Sequence, residues 1–215
     1  MAKNLAMSMG QRDLATRLSH IVGEKLEVES DGQRVPFAKL VNVGKRQLTR
    51  TDKEVLTLSA LIRALILTTV FGSKGVKYSA ANVHEGDLPS HTDADEVETV
   101  VVRLVSRLIG NRFPDFARRS AITAPAVMAG LGILLHRATL WCAPVDVMSY
   151  ERVERLLADF RWEREPAYWD GVCASVGSTG RLNFSGGVKD SAGRVAGALL
   201  DPHSELGRRI RGARS

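Results

Sequence analysis

Residues 53–71 read KEVLTLSALIRALILTTVF, and this stretch decides the fold. Between Val55 and Phe71 the only charge is Arg63, near the middle of the longest apolar run in the chain. A run this short, with a charge inside it, falls below the length of a membrane span and reads as a helix buried in a protein core. Thr51 or Asp52 is placed to cap it, and Glu54 falls in the first turn, where the helix dipole favours an acid. Gly72 supplies a stop. Apolar nearly all round, this helix is expected to be the most buried of the molecule.

On its amino-terminal side, residues 11–25 carry Leu14, Leu18, Ile21 and Val22 on one helical face, with Arg12, Arg17 and Lys25 off that stripe. Residues 26–43 alternate apolar and polar side chains in pieces that suit short strands. On its carboxy-terminal side, residues 72–92 are glycine-punctuated and predict a long surface loop. Helical periodicity resumes at Asp93, with Asp95, Glu96 and Glu98 in the first turns. Val97, Val100, Val101, Leu104, Val105 and Leu108 form its inward face, and Pro114 ends it. Residues 124–140 predict a further buried helix with Pro125 in its first turn, and residues 149–162 an amphipathic one. Residues 169–183 read as loop and residues 188–200 as a last helix. The expected fold is mainly α, a single helix-rich domain with a minor β hairpin or short strands. It divides into a flexible amino terminus (1–10), a helical domain (11–207) and a basic tail (208–215).

A chain of 215 residues with 44% apolar side chains buries a full core. Residues 1–10 lack the apolar region of a signal peptide, so the expected location is the cytoplasm, with no membrane partner. Cys142 and Cys173 form no CxxC pair, and the five histidines are scattered, so neither a metal nor a cofactor is expected. The net charge is +6, with 22 of the 30 basic residues arginine. Such a balance draws polyanions by long-range field and counterion release, which makes nucleic acid a candidate partner.

Motifs with chemical promise are few. Asp31-Gly32-Gln33-Arg34 could grip a phosphate, but Asp-Gly is first a turn dipeptide between two extended pieces. Residues 177–187 hold four glycines with Arg181 ahead of a helix bearing Lys189. Glycine-rich backbone of this kind can cradle phosphate, although the Gly-Lys-Ser/Thr ending of a nucleotide loop is missing. Trp162, Tyr168 and Trp169 lie near Arg161 and Arg164, a set that either stacks bases or anchors the core. His136 and Cys142 are six residues apart, a spacing that does not bring them face to face as a dyad. No catalytic constellation emerges. The expected nucleic-acid contacts are Arg161, Arg164, Arg181, Lys189, Arg208, Arg209 and Arg211, the last three in the tail with Arg214.

Several segments, taken in order, resemble the DndB family. They are Gln11-Arg12-Asp13 opening a helix, Leu48, Thr57-Leu58-Ser59-Ala60-Leu61 in the buried helix, Trp169-Asp170-Gly171, and a Gly180-Arg181 loop before a closing helix. The resemblance runs from about Gln11 to Ile210 and marks Arg12, Asp13, Trp169 and Gly171 as its motif residues. It implies the helix-rich carboxy-terminal portion of such a protein, whose relatives carry a further amino-terminal lobe with an Asp-Gly-Gln-His-Arg signature. Asp31-Gly32-Gln33-Arg34 does not stand in for that signature, because it follows the Arg12-Asp13 helix. The implied role is regulation of bacterial DNA phosphorothioation by a repressor-type, DNA-binding accessory protein. The implied partners are DNA, other modification proteins or a separate amino-terminal lobe, and a second copy in a homo-oligomer. Two alternatives stand beside it: a non-autonomous part of a nucleotide-handling, ATPase-like protein, and an interaction module that assembles the modification machinery.

Overall fold

The computed structural model describes residues 14–30, 32–45, 48, 52–78, 83, 85–113, 120–184 and 187–212. Gln11, Arg12, Asp13, Asp31, Thr51, Pro114 and Arg214, each used in the sequence reading, lie outside them. Within the described residues the protein is mainly α, with short strands in two-stranded pairs.

Helix α1 (Leu14–Lys25) leads into the antiparallel hairpin β1 (Glu27–Ser30) and β2 (Gln33–Pro36), in register Glu27↔Pro36. Gly32 at φ 73° makes the turn, a conformation only glycine adopts without strain. A 3-10 turn, Phe37–Leu40, buries Phe37 and delivers β3 (Val41–Asn42), which pairs in parallel with β4 (Leu56–Thr57). That pairing corrects the expected start of the central hydrophobic helix. The Val55 amide is tied to Leu40 O at 2.8 Å, so residues 53–57 are extended and helix α2 begins at Leu58. Its cap is Thr57, whose hydroxyl accepts from Ala60 N at 3.1 Å. The Asp52 carboxylate instead takes Lys45.

Helix α2 opens with Leu58–Ala60, widens into a π-helix over Leu61–Ile66, and closes as α-helix over Leu67–Phe71. A π segment shifts the hydrogen-bond ladder by one residue. Buried threonine hydroxyls supplement it here: Thr68 Oγ1 donates to Ala64 O at 2.5 Å and Thr69 Oγ1 to Leu65 O at 2.8 Å. A 3-10 segment, Gly72–Lys77, follows where loop was expected. With it the helical run Leu58–Lys77 reaches 20 residues. Among the described residues it is the one run long and apolar enough to cross a membrane, and 61% of its most apolar window is buried inside the fold.

Helix α3 (Ala94–Arg112) starts where the acidic turn predicted, capped by Asp93, which accepts from Glu96 N at 2.8 Å. Its inward face is the expected one, extended by Ile109. Helix α4 (Pro125–His136) is the centre of the molecule: its residues Ala126 to Gly132, with Leu134 and Leu135, are all buried. This overturns the ranking that gave α2 the most central place. The reason is glycine on both sides of α4. A Cβ on Gly132 would lie 1.8 Å from Thr68 Oγ1 of α2, and one on Gly130 would lie 2.4 Å from Val195 Cγ1. Two helices therefore approach α4 as closely as backbone allows.

Helix α5 (Tyr150–Leu157), capped by Ser149, is amphipathic as expected but stops before Phe160 and Trp162, which turn inward. Helix α6 (Pro166–Trp169) lies between the expected amphipathic helix and the stretch expected as loop, and the hairpin β5 (Ser175–Val176) with β6 (Leu182–Asn183) occupies that stretch. Helix α7 (Val188–Leu200) has the expected bounds and packs on α4 through Val195. Helix α8 (Glu205–Arg209), capped by Ser204, ends the fold. One hydrophobic core runs from Leu18 to Ile210, so the boundary drawn at residue 208 cuts through a packed element.

A candidate anion-binding cleft

The stretch after α2 and the first turns of α7 form two walls of a surface cleft of about 500 Å³. The first wall is the 3-10 segment Gly72–Lys77. Gly72, at φ 58°, turns the chain out of α2. Gly75 lies against α2, where a Cβ would come within 2.3 Å of Leu67 O. Lys74 and Lys77 are thus presented from a wall seated directly on a buried helix. The second wall is α7, which offers Lys189, Asp190 and Arg194 around the bare backbone of Gly193. Ile133 of α4 lies between the walls.

Four cations face one carboxylate here. Elsewhere among the described residues some basic side chains are paired, Arg17 with Glu98, Lys45 with Asp52, Arg107 with Glu151 and Glu154, Arg137 with Asp146, Arg209 with Glu205, and others, among them Lys39, Lys53, Arg63 and Arg208, stand singly on the surface. Among the described residues no ion pair or side-chain hydrogen bond reaches Lys74, Lys77 or Lys189, and Arg194 has only a 3.5 Å contact to Ser191 Oγ. Like charges gathered in a concavity repel one another, and an anion relieves that repulsion.

A second lobe of about 490 Å³ continues along α7 and shares Arg194 with the first. Gly197, Ala198 and Leu206 give it apolar surface, and Asp201, Ser204 and Glu205 line it as well. A Cβ on Gly193 or Gly197 would meet nothing within 4 Å, so packing does not require glycine at either position. Glycine inside a helix costs about 0.5–1 kcal/mol relative to alanine. The exposed face of α7 is held bare at that expense.

The residues expected to contact nucleic acid separate into two groups. Lys189 lines the cleft, Arg181 stands exposed on the β5–β6 hairpin tip, and Arg161 and Arg208 are exposed elsewhere. The guanidinium groups of Arg164, Arg209 and Arg211 are occupied by the fold. Arg164 Nε donates to Ser120 O at 3.0 Å and its Nη2 to Thr123 Oγ1 at 3.0 Å, while the group sits over the Phe184 ring. Arg209 Nη1 donates to Asp170 O at 2.8 Å. Arg211 donates to four carbonyls: Nη1 to Ala198 O and Gly207 O, Nη2 to Leu156 O and Leu199 O. Together with fully buried Ile210, it closes the carboxy-terminal end of α7, so residues 208–212 act as a clasp rather than a loose tail.

The aromatic set is core. Trp169 is fully buried against Phe160 and Phe184, donates Nε1–H to Glu163 O at 2.9 Å, and leaves no face for a base. Gly171 at φ 74° serves the following turn, its amide donating to Ala174 O. Lys74, Lys77 and Arg194 were not singled out in the sequence. The sequence signal that bears on them is the i, i+3 spacing of Lys74 and Lys77 around Gly75 in a 3-10 turn; nothing in the spacing of Lys189 and Arg194 pairs them.

Buried titratable groups elsewhere in the fold are held neutral. Burial pushes the Cys173 thiol up to about 12, the opposite of what a nucleophile needs. Burial likewise raises the Tyr150 hydroxyl to about 12, with Glu154 adding to the effect. His136 lies under the first wall, its Nδ1 3.1 Å from Thr69 O, and burial lowers its pKa below the usual 6.5. Among the described residues no group of three or more His, Cys, Asp or Glu side chains is arranged to hold a metal ion. Comparison with protein-family models, curated proteins and solved structures finds no match to this chain.

Proposed function

We propose that this chain is a DNA-binding accessory module that holds backbone phosphates in the cleft between Gly72–Lys77 and α7. The observation that carries the reading is the convergence of Lys74, Lys77, Lys189 and Arg194 on one surface cleft. Phosphate contacts by lysine and arginine supply the sequence-independent part of DNA affinity through counterion release. The exposed Arg181, Arg161 and Arg208 add to the positive field that steers DNA toward the surface. The DndB-like order of segments supports a finer proposal: a regulatory, repressor-type role in a bacterial DNA-modification system, with phosphorothioation the modification implied.

Fluorescence anisotropy of labelled DNA across a salt series tests the reading. Each phosphate contact contributes about 0.9 to the slope of log affinity against log salt on duplex and about 0.7 on single strands. Lys74→Gln combined with Lys189→Gln is expected to flatten that slope by about 1.5–2 units with folding intact. An unchanged slope would move the DNA site off the cleft, and absence of DNA binding at low salt would end the proposal.

A further inference from the structure

We infer that the nucleotide seated in this cleft is unpaired, with its phosphates in the basic lobe and its base against Gly197 in the adjoining lobe. The inference rests on the cleft being the nucleic-acid site and adds what form of nucleic acid enters it.

The charge pattern along α7 comes first. The lobe lined by Lys74, Lys77, Lys189 and Arg194 is cationic, whereas the lobe beyond Arg194 combines apolar surface with carboxylates. Asp201 and Glu205 line the second lobe and disfavour a phosphate backbone there. A neutral ring meets no such repulsion. The two lobes together run from Lys189 to Asp201, roughly 18 Å of helix at 1.5 Å per residue. That length accommodates one or two phosphates and the base attached to them.

The shape points the same way. Duplex DNA is convex and turns its phosphates outward, with its bases paired and stacked inside. Such a surface can touch the cations of the first lobe but places no base in the second, open lobe. A base freed from pairing can enter it.

The glycines supply the third argument. Gly130 and Gly132 are demanded by packing, since a Cβ at either would strike a neighbouring helix. Gly193 and Gly197 face open space, yet Gly193 lines the first lobe and Gly197 the second, on either side of Arg194, which lines both. Backbone without a side chain lets a flat ring approach to van der Waals distance, with Leu206 as its apolar wall.

The test uses the full chain and three probes: a labelled single strand, the duplex of the same sequence, and a nucleoside triphosphate as competitor. The expected result is single-strand affinity at least tenfold above duplex affinity. Gly197→Leu, which fills the second lobe from an exposed helix position, should weaken single-strand binding at least tenfold while duplex binding changes less than twofold. Thermal melting of the variant confirms that it is folded. Duplex binding equal to or tighter than single-strand binding would overturn the inference and leave the DNA-binding proposal standing. So would an unchanged strand affinity in Gly197→Leu. If the free triphosphate competes as well as the strand, the occupant is a mononucleotide and the strand inference is overturned. Loss of all DNA binding in the unmodified chain would defeat both readings.

Discussion

Replacing Arg211 by alanine is expected to destabilise the fold by about 2–4 kcal/mol, although the residue lies four positions before Ser215. The magnitude follows from its partners. Nη1 lies 3.0 Å from Ala198 O and 2.9 Å from Gly207 O, and Nη2 lies 2.8 Å from Leu156 O and 3.1 Å from Leu199 O. Two of these carbonyls belong to the last turn of α7, where no intrahelical donor remains and a cation opposes the helix dipole. A hydrogen bond to a charged group contributes about 1.5–3 kcal/mol, but four on one side chain do not add. The guanidinium is only half-buried, so water recovers part of the loss once it is gone. In a chain of this size each kcal/mol shifts Tm by about 2–4 °C, so a fall of about 5–15 °C is expected by circular dichroism. Arg208→Ala, exposed and without such partners, should stay within about 0.5 kcal/mol and serves as the control. Arg211→Lys should recover only part of the loss, because one ammonium cannot reach four carbonyls arranged around a planar fork. A change below about 0.5 kcal/mol for Arg211→Ala would place the residue among ordinary surface positions and refute the clasp.

Gly132→Ala should cost about 1–3 kcal/mol or more in urea unfolding, because its Cβ would overlap Thr68 Oγ1 and approach Leu65 O at 2.6 Å; a neutral result would mean α2 and α4 are not in backbone contact. Leu65→Ala, at a position 1% exposed, should cost about 2–5 kcal/mol, and Leu58→Ala distinctly less because Leu58 is only half-buried; equal losses would refute this placement of α2. Because burial lowers the pKa of His136, the unfolded chain binds its proton more readily than the folded one. Stability contributed by neutral His136 is therefore fully present above pH 6.5 and is lost as pH falls from there toward the folded pKa. His136→Gln should flatten the pH dependence of Tm below neutrality, and an identical profile in the variant would contradict the assignment.

Periodicity carried much of the fold. The bounds of α7, the start and inward face of α3, and the amphipathic α5 are local properties, and the sequence displays them directly. What escaped depends on distant partners. The first residues assigned to α2 are extended because Val41–Asn42, far back in the chain, pairs with Leu56–Thr57. Central burial of α4 rests on Gly130 and Gly132, which read locally as weak helix formers and gain meaning only from the helices they admit. The candidate site was legible in Lys189 alone. Its partners Lys74 and Lys77 sit more than a hundred residues earlier, in a segment read as loop, and only the packing of Gly75 on α2 brings them opposite α7. Arg209 and Arg211 looked like free cations for the converse reason, since charge is visible in a sequence but the carbonyls that absorb it are not.

Amine acetylation read by mass spectrometry, with and without DNA, tests the central claim most directly. The account predicts that DNA at low salt protects Lys74, Lys77 and Lys189 together, that raised salt releases all three, and that exposed Lys25, Lys39 and Lys53 stay reactive throughout. Protection spread evenly over the six lysines, or confined to Lys25, Lys39 and Lys53, would contradict it.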